Sequence, residues 1–116
     1  MPGRKAALAG DQADRTPAVT TRRPAAAREL RLTGVDRLAR GARVLEIGTG
    51  DGRLVFGYGA SAASVLAIDV DADAIGRAAR HAAGLGWTHV RFAAVSAQEL
   101  DVGRERFDLA HLAWSL

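Results

Sequence analysis

The sequence of 116 residues contains no cysteine, which excludes a disulfide framework and any metal site built on thiolates. Proline is scarce, with 3 residues, and 48% hydrophobic and 25% charged residues are typical of a globular chain. No apolar run approaches the roughly 20 residues of a membrane-spanning helix, and the amino terminus lacks the apolar stretch of a secretory signal. We therefore expect one small, soluble, cytoplasmic domain without membrane contact.

The positive charge of the chain is concentrated near its amino terminus. The net charge is +3, yet residues 1–43 hold ten basic against four acidic side chains, whereas residues 44–116 hold six against nine. Lys5 is the only lysine, and this preference for arginine is more typical of GC-rich coding than of phosphate recognition. Nucleic acid is therefore a candidate partner of the first part only, and it is not the favoured one.

The first 27 residues have almost no large apolar side chains, since Leu8 and Val19 stand alone. Such a stretch cannot bury enough surface to offset the entropy that it would lose on ordering. Residues 1–27 are therefore predicted to form a disordered basic arm, and residues 28–116 to form the single domain.

Beyond the arm, short apolar segments alternate with helical ones. Strands are predicted at residues 43–47, 64–69, 89–95 and 107–113. Helices are predicted at residues 30–40, 53–60 and 71–84, with a helical turn at 97–100. The helix at 71–84 has the clearest signals, with Asp71 as its N-cap and Gly84 at its end. This alternation indicates an α/β fold, a Rossmann-like open parallel sheet of about four strands with helices on both faces.

A glycine-rich loop, residues 48–52 (GTGDG), joins the first predicted strand to the helix that follows. Glycines at such a turn let a ligand approach the main chain, and free N–H groups at the helix start favour a negative group on that ligand. Asp69 ends the next strand, where its carboxylate can accept both hydroxyls of a ribose. The pattern predicts a nucleotide-like ligand at this edge of the sheet.

The spacing within the loop separates two such ligands. A dinucleotide fingerprint that starts at Gly48 requires glycine at position 53, where this sequence has Arg53. A pyrophosphate would also be repelled by Glu46 and Asp51. A ligand with an ammonium, a sulfonium and one carboxylate suits this mixture of charges, and S-adenosylmethionine has all three.

Three segments resemble the class I S-adenosylmethionine-dependent methyltransferases. Residues 44–54 (VLEIGTGDGRL) closely resemble the first motif of that family, and residues 67–71 (AIDVD) look like the second. Residues 107–115 (FDLAHLAWS) are similar to the fourth-strand motif. The resemblance implies S-adenosylmethionine as the cofactor and methyl transfer as the activity.

The resemblance also implies roles for individual residues. The methionine moiety would be surrounded by first-motif residues, namely Glu46, Gly48, Thr49, Gly50 and Gly52. Asp69 would bind the ribose hydroxyls, and Val70 would pack on the adenine. Where the family usually has an Asp after the third strand, this sequence has Ser96. Ser96, the backbone at Ala97 and the amide of Gln98 are therefore the candidates for binding the adenine amino group.

Neither a metal site nor a catalytic side chain is predicted. His81, His89 and His111 do not have metal-ligand spacing, and no nucleophile is paired with a base in a recognisable pattern. Methyl transfer is compatible with this, because a sulfonium is already a good leaving group and catalysis can rest mainly on positioning. The sequence leaves the methyl acceptor open.

The length of the chain leads to a further expectation. The family that it resembles continues through about three further strands, so we expect a truncated, cofactor-binding fragment with no methyltransferase activity of its own. Its fourth strand would then be an exposed edge that leads to self-association. Two alternatives stay open: another nucleotide-binding protein, such as half of a dehydrogenase, and a non-catalytic module whose basic arm binds RNA.

Overall fold

A computed structural model describes residues 24–113 of the chain. In chain order the elements are α1 (Pro24–Thr33), α2 (Val35–Leu38), β1 (Arg43–Ile47), α3 (Val55–Tyr58), a 3₁₀ turn (Gly59–Ser61), β2 (Ser64–Asp69), α4 (Ala72–Gly84), β3 (Val90–Ala94) and β4 (Leu109–Leu112). The four strands are parallel and lie in the order β3-β2-β1-β4. The predicted Rossmann-like α/β fold is confirmed.

The two central strands match their prediction at both ends, at residues 43–47 and 64–69. Each lies between two neighbouring strands, so its whole apolar run is held in the sheet. The outer strands β3 and β4 are shorter than predicted. Each pairs with one neighbour only within the described part of the chain, and its ladder ends where that single partner stops.

Helices pack on both faces of the sheet. Val44, Val65 and Val90 lie side by side and are buried in one cluster with residues of α1, α2 and α3. Successive residues of a strand face opposite sides, so Leu66 and Ile68 point the other way. Both are buried on that second face, where α4 packs on β2 and β3.

Helix α4 agrees with the features predicted from its sequence. The Asp71 side chain accepts a hydrogen bond from the Ala74 N–H at 3.1 Å, which confirms the predicted N-cap. The buried residues of the helix recur at helical spacing and are Ala74, Ile75, Ala78 and Ala82. Because three of them are alanines, the helix can approach the sheet closely.

The amino-terminal boundary of the domain differs from the prediction. Helix α1 begins at Pro24, so residues 24–27, predicted to belong to the disordered arm, are helical; residues 1–23 lie outside the described part. The reason is packing, since Ala26 and Leu30 are both buried in the core cluster. Alanine is not among the large apolar residues on which the predicted boundary was based, yet on a helix it can complete a buried face.

The helix predicted at residues 53–60 is wrong in its extent. Helix α3 covers only Val55–Tyr58, and the chain continues as the 3₁₀ turn. Gly57 and Gly59 weaken a longer helix. Gly59 is also held close to Trp87, where an added Cβ would lie 2.9 Å from the ring.

Two further helical predictions agree with the structure in part. The helix predicted at 30–40 is interrupted at Gly34, whose φ of 78° lies in the left-handed region. The turn predicted at residues 97–100 is a single hydrogen-bonded turn over residues 97–99, closed by the Glu99 N–H, which donates to the Ser96 carbonyl oxygen at 3.1 Å. No helix in residues 24–113 has the length and apolar character needed to cross a membrane.

Candidate functional site

A cavity of about 500 Å³ opens at the carboxyl ends of the strands. This volume falls in the range of small-molecule sites in proteins. The predicted site residues that line it are Gly48, Thr49, Gly50, Asp69, Val70, Ser96 and Ala97. The other two predicted residues, Glu46 and Gly52, lie outside it. Because residues that follow all four strands contribute, the cavity extends across the whole edge of the sheet.

Hydrogen bonds tie the backbone of the glycine loop to β2. The N–H groups of Gly48 and Thr49 both donate to the Ile68 carbonyl oxygen, at 2.9 and 3.0 Å. The Gly50 N–H donates to Asp69 Oδ2 at 2.9 Å. The expectation of loop amides that await a negative group is therefore wrong for these three residues. These three amides are therefore engaged within the protein rather than directed at a phosphate, in agreement with the departure from the dinucleotide spacing.

Gly50 and Gly52 meet different structural requirements. Both have a positive φ, of 60° and 86° respectively. A Cβ on Gly50 would meet nothing within 4 Å, whereas a Cβ on Gly52 would lie 2.6 Å from Cε2 of Phe56. Gly50 therefore keeps space open at the cavity, and Gly52 allows the Phe56 ring to pack behind the loop.

Asp69 holds the turn at the end of β2. Its Oδ1 accepts from the Asp71 N–H and its Oδ2 accepts from the Gly50 N–H, both at 2.9 Å. A carboxylate offers about four acceptor positions, so each oxygen keeps capacity for a ligand hydroxyl. Capping of the turn and binding of a diol are thus compatible roles for this half-buried side chain.

The segment after β3 forms the far end of the cavity. Ser96 Oγ donates to Glu99 Oε1 at 3.0 Å and accepts from the Glu99 N–H at 3.3 Å, so its hydrogen bonds are largely taken. Val70 is 73% exposed and offers an apolar surface at this end. Glu99 was not predicted as a partner of Ser96, although the Ser-x-x-Glu spacing of a capping box indicates this contact.

Glu46 is fully buried in β1. The Tyr58 hydroxyl donates to its Oε1 at 2.9 Å. Burial raises the pKa of Glu46 to about 7, and the nearby Thr49 and Tyr58 hydroxyls and the Arg53 charge oppose this only in part. Tyr58 was not foreseen from the sequence, because no spacing pattern indicates a contact between β1 and α3.

The two arginines that could have paired with Glu46 bind other carboxylates. Arg43 Nη2 lies 2.9 Å from Asp108 Oδ1, and Arg53 Nη1 lies 3.0 Å from Glu29 Oε1. Asp108 has its pKa lowered to about 2, first by the side-chain hydrogen bonds from Arg43. Glu46 is therefore not held by a direct ion pair with either arginine.

Three buried polar atoms near the β1–β4 side have no hydrogen-bond partner among residues 24–113: Glu46 Oε2, Thr49 Oγ1 and His111 Nε2. His111 pairs in register with Glu46, and desolvation lowers its pKa. Buried polar groups in proteins usually have partners. Thr49 lines the cavity, so its hydroxyl can bond to a polar group of a ligand there.

One family model matches the sequence. It is described as a methyltransferase domain and matches residues 44–116, more than half of the chain. The matched range contains the glycine loop, strands β2, β3 and β4, and all of β1 except Arg43. A search among curated proteins gives no match.

Several solved structures share the fold. The S-adenosylmethionine-dependent methyltransferase from Thiobacillus denitrificans, solved with S-adenosylhomocysteine, is 27% identical with a TM-score of 0.62, over 80% of this chain and 37% of that one. The YcgJ protein from Bacillus subtilis is 25% identical with a TM-score of 0.61, over 70% and 36%. The [4+2]-cyclase SpnF is 29% identical with a TM-score of 0.59, over 69% and 32%. The chain thus spans about a third of each of these proteins.

The resemblance found in the sequence motifs is confirmed by the family match and by the shared parallel sheet. S-adenosylmethionine is the cofactor of the matched family. The similarity to a cyclase shows that the fold alone does not fix the reaction. By the family match over residues 44–116, this chain belongs to the class I S-adenosylmethionine-dependent methyltransferases.

Proposed function

We propose that this chain binds S-adenosylmethionine in the cavity at the strand ends and takes part in methyl transfer to an acceptor not yet identified. The observation that carries the proposal is the order of the groups along the cavity. The sheet order β3-β2-β1-β4 places the segments after these strands side by side. The cofactor is equally linear, with adenine, ribose and methionine in sequence.

Each part of the cofactor then meets suitable residues. Val70 offers an apolar surface to the adenine, and Ala97, an exposed residue, lines the same cavity. Asp69 keeps acceptor capacity for the ribose hydroxyls. The space next to Gly50 and the unpartnered Thr49 hydroxyl suit the methionine moiety.

Ser96 contributes less than a carboxylate would at the adenine end. Its hydroxyl already donates to Glu99, so it can offer the adenine amino group only a weak additional acceptor. We assign adenine contact to the backbone at Ala97 and to Gln98, which also lines the cavity.

The roles of the two remaining predicted residues are indirect. Glu46 lies outside the cavity and holds α3 against β1, behind the glycine loop, through its hydrogen bond with Tyr58. Gly52 allows the loop to pack on Phe56. Both residues therefore shape the methionine end without contacting it.

The chemistry of the proposed reaction places few demands on protein side chains. When bound, the cofactor supplies a methyl group on a sulfonium, which a nucleophilic acceptor can take directly. The residues of this chain bind and orient the cofactor. Asp69 binds the ribose, and the hydrogen bonds from the glycine loop to Asp69 and to the Ile68 carbonyl hold the loop in place around the methionine end. Rate enhancement then comes from positioning rather than from a catalytic acid or base.

Methylation by this chain alone is not part of the proposal, because the chain spans about a third of its structural relatives. We propose that it supplies the cofactor-binding part of the activity. The alternative of a dehydrogenase half-domain is disfavoured, since Arg53 replaces the third glycine of the dinucleotide spacing and the amides of Gly48, Thr49 and Gly50 are bonded within the protein. The alternative of an RNA-binding arm rests mainly on residues 1–23, which lie outside the described part.

We also propose that two copies of this chain associate through β4. Within residues 24–113 one edge of β4 has no neighbouring strand. Leu112 is 59% exposed, and Ala110, on the same face of the strand, is exposed as well. An apolar, unpaired edge favours pairing with another chain.

Calorimetric titration with S-adenosylhomocysteine tests the cofactor site. Gly50→Val would fill the space at the cavity, and we expect it to abolish measurable binding. Gly41→Val is the matched control, because Gly41 has a similar φ of 66° and nothing within 4 Å of an added Cβ, but lies away from the cavity.

Both variants should lose similar stability from strain, about 1–3 kcal/mol. We expect the Gly41 variant to bind like the wild type. If the wild-type chain failed to bind S-adenosylhomocysteine, or the Gly50 variant bound it normally, the proposed site would be wrong. Stabilisation by NAD in its place would favour the dehydrogenase alternative.

A further inference from the structure

Arg53 is the one lysine or arginine among the described residues that line the cavity. Its Nη1 donates to Glu29 Oε1 of α1 at 3.0 Å, and the Arg53 side chain is 23% exposed. A guanidinium carries five N–H donors. The Glu29 contact therefore leaves donors that can bind a second anion at the cavity.

The charged groups with which Arg53 and Glu29 interact indicate where this pair lies along the sheet. The Arg53 charge acts on Glu46 of β1, and the Glu29 charge acts on both Glu46 and His111 of β4. Arg53 thus lies on the β1–β4 side, two strands away from Ser96 at the end of β3. In the ligand order proposed above, this is the side of the methionine moiety.

The charges around the cavity give Arg53 a specific partner. The other ionisable residues that line it are the carboxylates Asp51 and Asp69. The methionine moiety ends in an ammonium and a carboxylate. Carboxylates can accommodate the ammonium, whereas the carboxylate favours the one cationic side chain at the cavity, and the guanidinium of Arg53 matches its planar geometry.

We propose that Arg53 binds the carboxylate of the cofactor's methionine moiety, which makes the residue directly after the glycine loop a specificity determinant. This inference rests on the proposed function, since it assumes the same site and ligand. It predicts that the chain discriminates between nucleosides with and without an amino-acid tail.

The test compares two ligands by calorimetry. S-adenosylhomocysteine has the carboxylate, and 5′-methylthioadenosine has the same nucleoside and a thioether but no amino-acid tail. For Arg53→Gln we expect a loss of at least about tenfold in affinity for the first ligand and unchanged affinity for the second. Arg53→Lys keeps the charge but not the planar fork, so its loss should be smaller.

Arg91→Gln is the matched control, because Arg91 on β3 pairs with Glu105 and lies outside the cavity. It should leave both affinities unchanged. Equal losses for both ligands in Arg53→Gln, or no loss for S-adenosylhomocysteine in that variant, would overturn the inference while leaving the site itself intact. A wild-type chain that binds neither ligand would instead overturn the proposed function, and the inference with it.

Discussion

The Tyr58 hydroxyl donates a hydrogen bond to Glu46 Oε1 at 2.9 Å, in a part of the core where both side chains are buried. The contact joins α3 to β1 directly behind the glycine loop. Burial, and then the charge of Glu46, raise the pKa of Tyr58, so the phenol stays protonated and remains the donor. Of the two side chains, Glu46 is therefore the one whose protonation changes near neutral pH.

The first prediction concerns pH and stability. The pKa of Glu46 is raised from 4.5 to about 7 in the folded chain. Between these values the folded state keeps a proton that the unfolded state has released, so stability falls as pH rises through this window. The stabilisation lost by pH 7 and above is on the order of 3 kcal/mol.

Chemical denaturation at several pH values measures this dependence. Glu46→Gln resembles the protonated side chain, so it should remove the decrease and be more stable than the wild type above pH 7. If wild type and variant showed the same slope between pH 4.5 and 7, the side chain would not carry the raised pKa.

The second prediction concerns the carboxylate at the end of β2. Asp69→Ala removes the acceptor of the Gly50 N–H and the proposed partner of the ribose. Hydrogen bonds to a charged group contribute about 1.5–3 kcal/mol each, so affinity for S-adenosylhomocysteine should fall at least tenfold. Calorimetry measures the change.

Asp71→Ala serves as the control for Asp69→Ala, since it removes an aspartate from the same turn. It deletes the N-cap of α4 and should lower stability by about 1 kcal/mol without changing ligand affinity. Equal affinities for the Asp69 variant and the wild type would remove Asp69 from the site.

The third prediction separates packing from ligand space within the loop. Gly52→Ala places a Cβ 2.6 Å from Phe56, whose ring also stacks on His81 with centroids 4.0 Å apart. We expect a loss of about 2–5 kcal/mol in urea unfolding, from backbone strain and overpacking together. Gly41→Ala, with strain alone, should lose less, and similar losses for both would show that the ring moves away freely.

The fourth prediction concerns self-association. Leu112→Glu introduces a charge at the exposed edge strand and should reduce association in sedimentation velocity experiments. Leu38→Glu is the control, because Leu38 on α2 is 60% exposed, almost the same as Leu112 at 59%. A wild-type chain that sediments as a monomer, or equal effects of both substitutions, would contradict association through β4.

Much of the fold could be predicted because its central elements carry local signals. The strand at residues 64–69 is apolar from Val65 to Ile68, and Asp71 marks the start of α4 directly after it. Helix α1 lacks such a signal, since its burial depends on Ala26, a side chain that is apolar only in context. The end of α3 depends on the contact of Gly59 with Trp87, which lies far along the chain.

The candidate site could be predicted less completely than the fold. The motif indicates which residues surround the loop, but not that Glu46 turns away from the cavity. Alternation along a strand fixes only that neighbours face opposite sides, and the face that each occupies depends on packing. The pairing of Arg53 with Glu29 likewise joins separate elements, so no spacing rule indicates it.

The bond between Arg43 and Asp108 bears on the order in which the sheet assembles. Strands β1, β2 and β3 follow one another along the chain, whereas β4 pairs with β1 across 65 residues, from Arg43 to Asp108. Contacts between distant residues carry a larger loop-closure cost and form more slowly than local ones. We therefore expect the β1–β4 pairing to complete the sheet after its other pairings, so that the wall formed by Ala113 is the last part of the cavity to form.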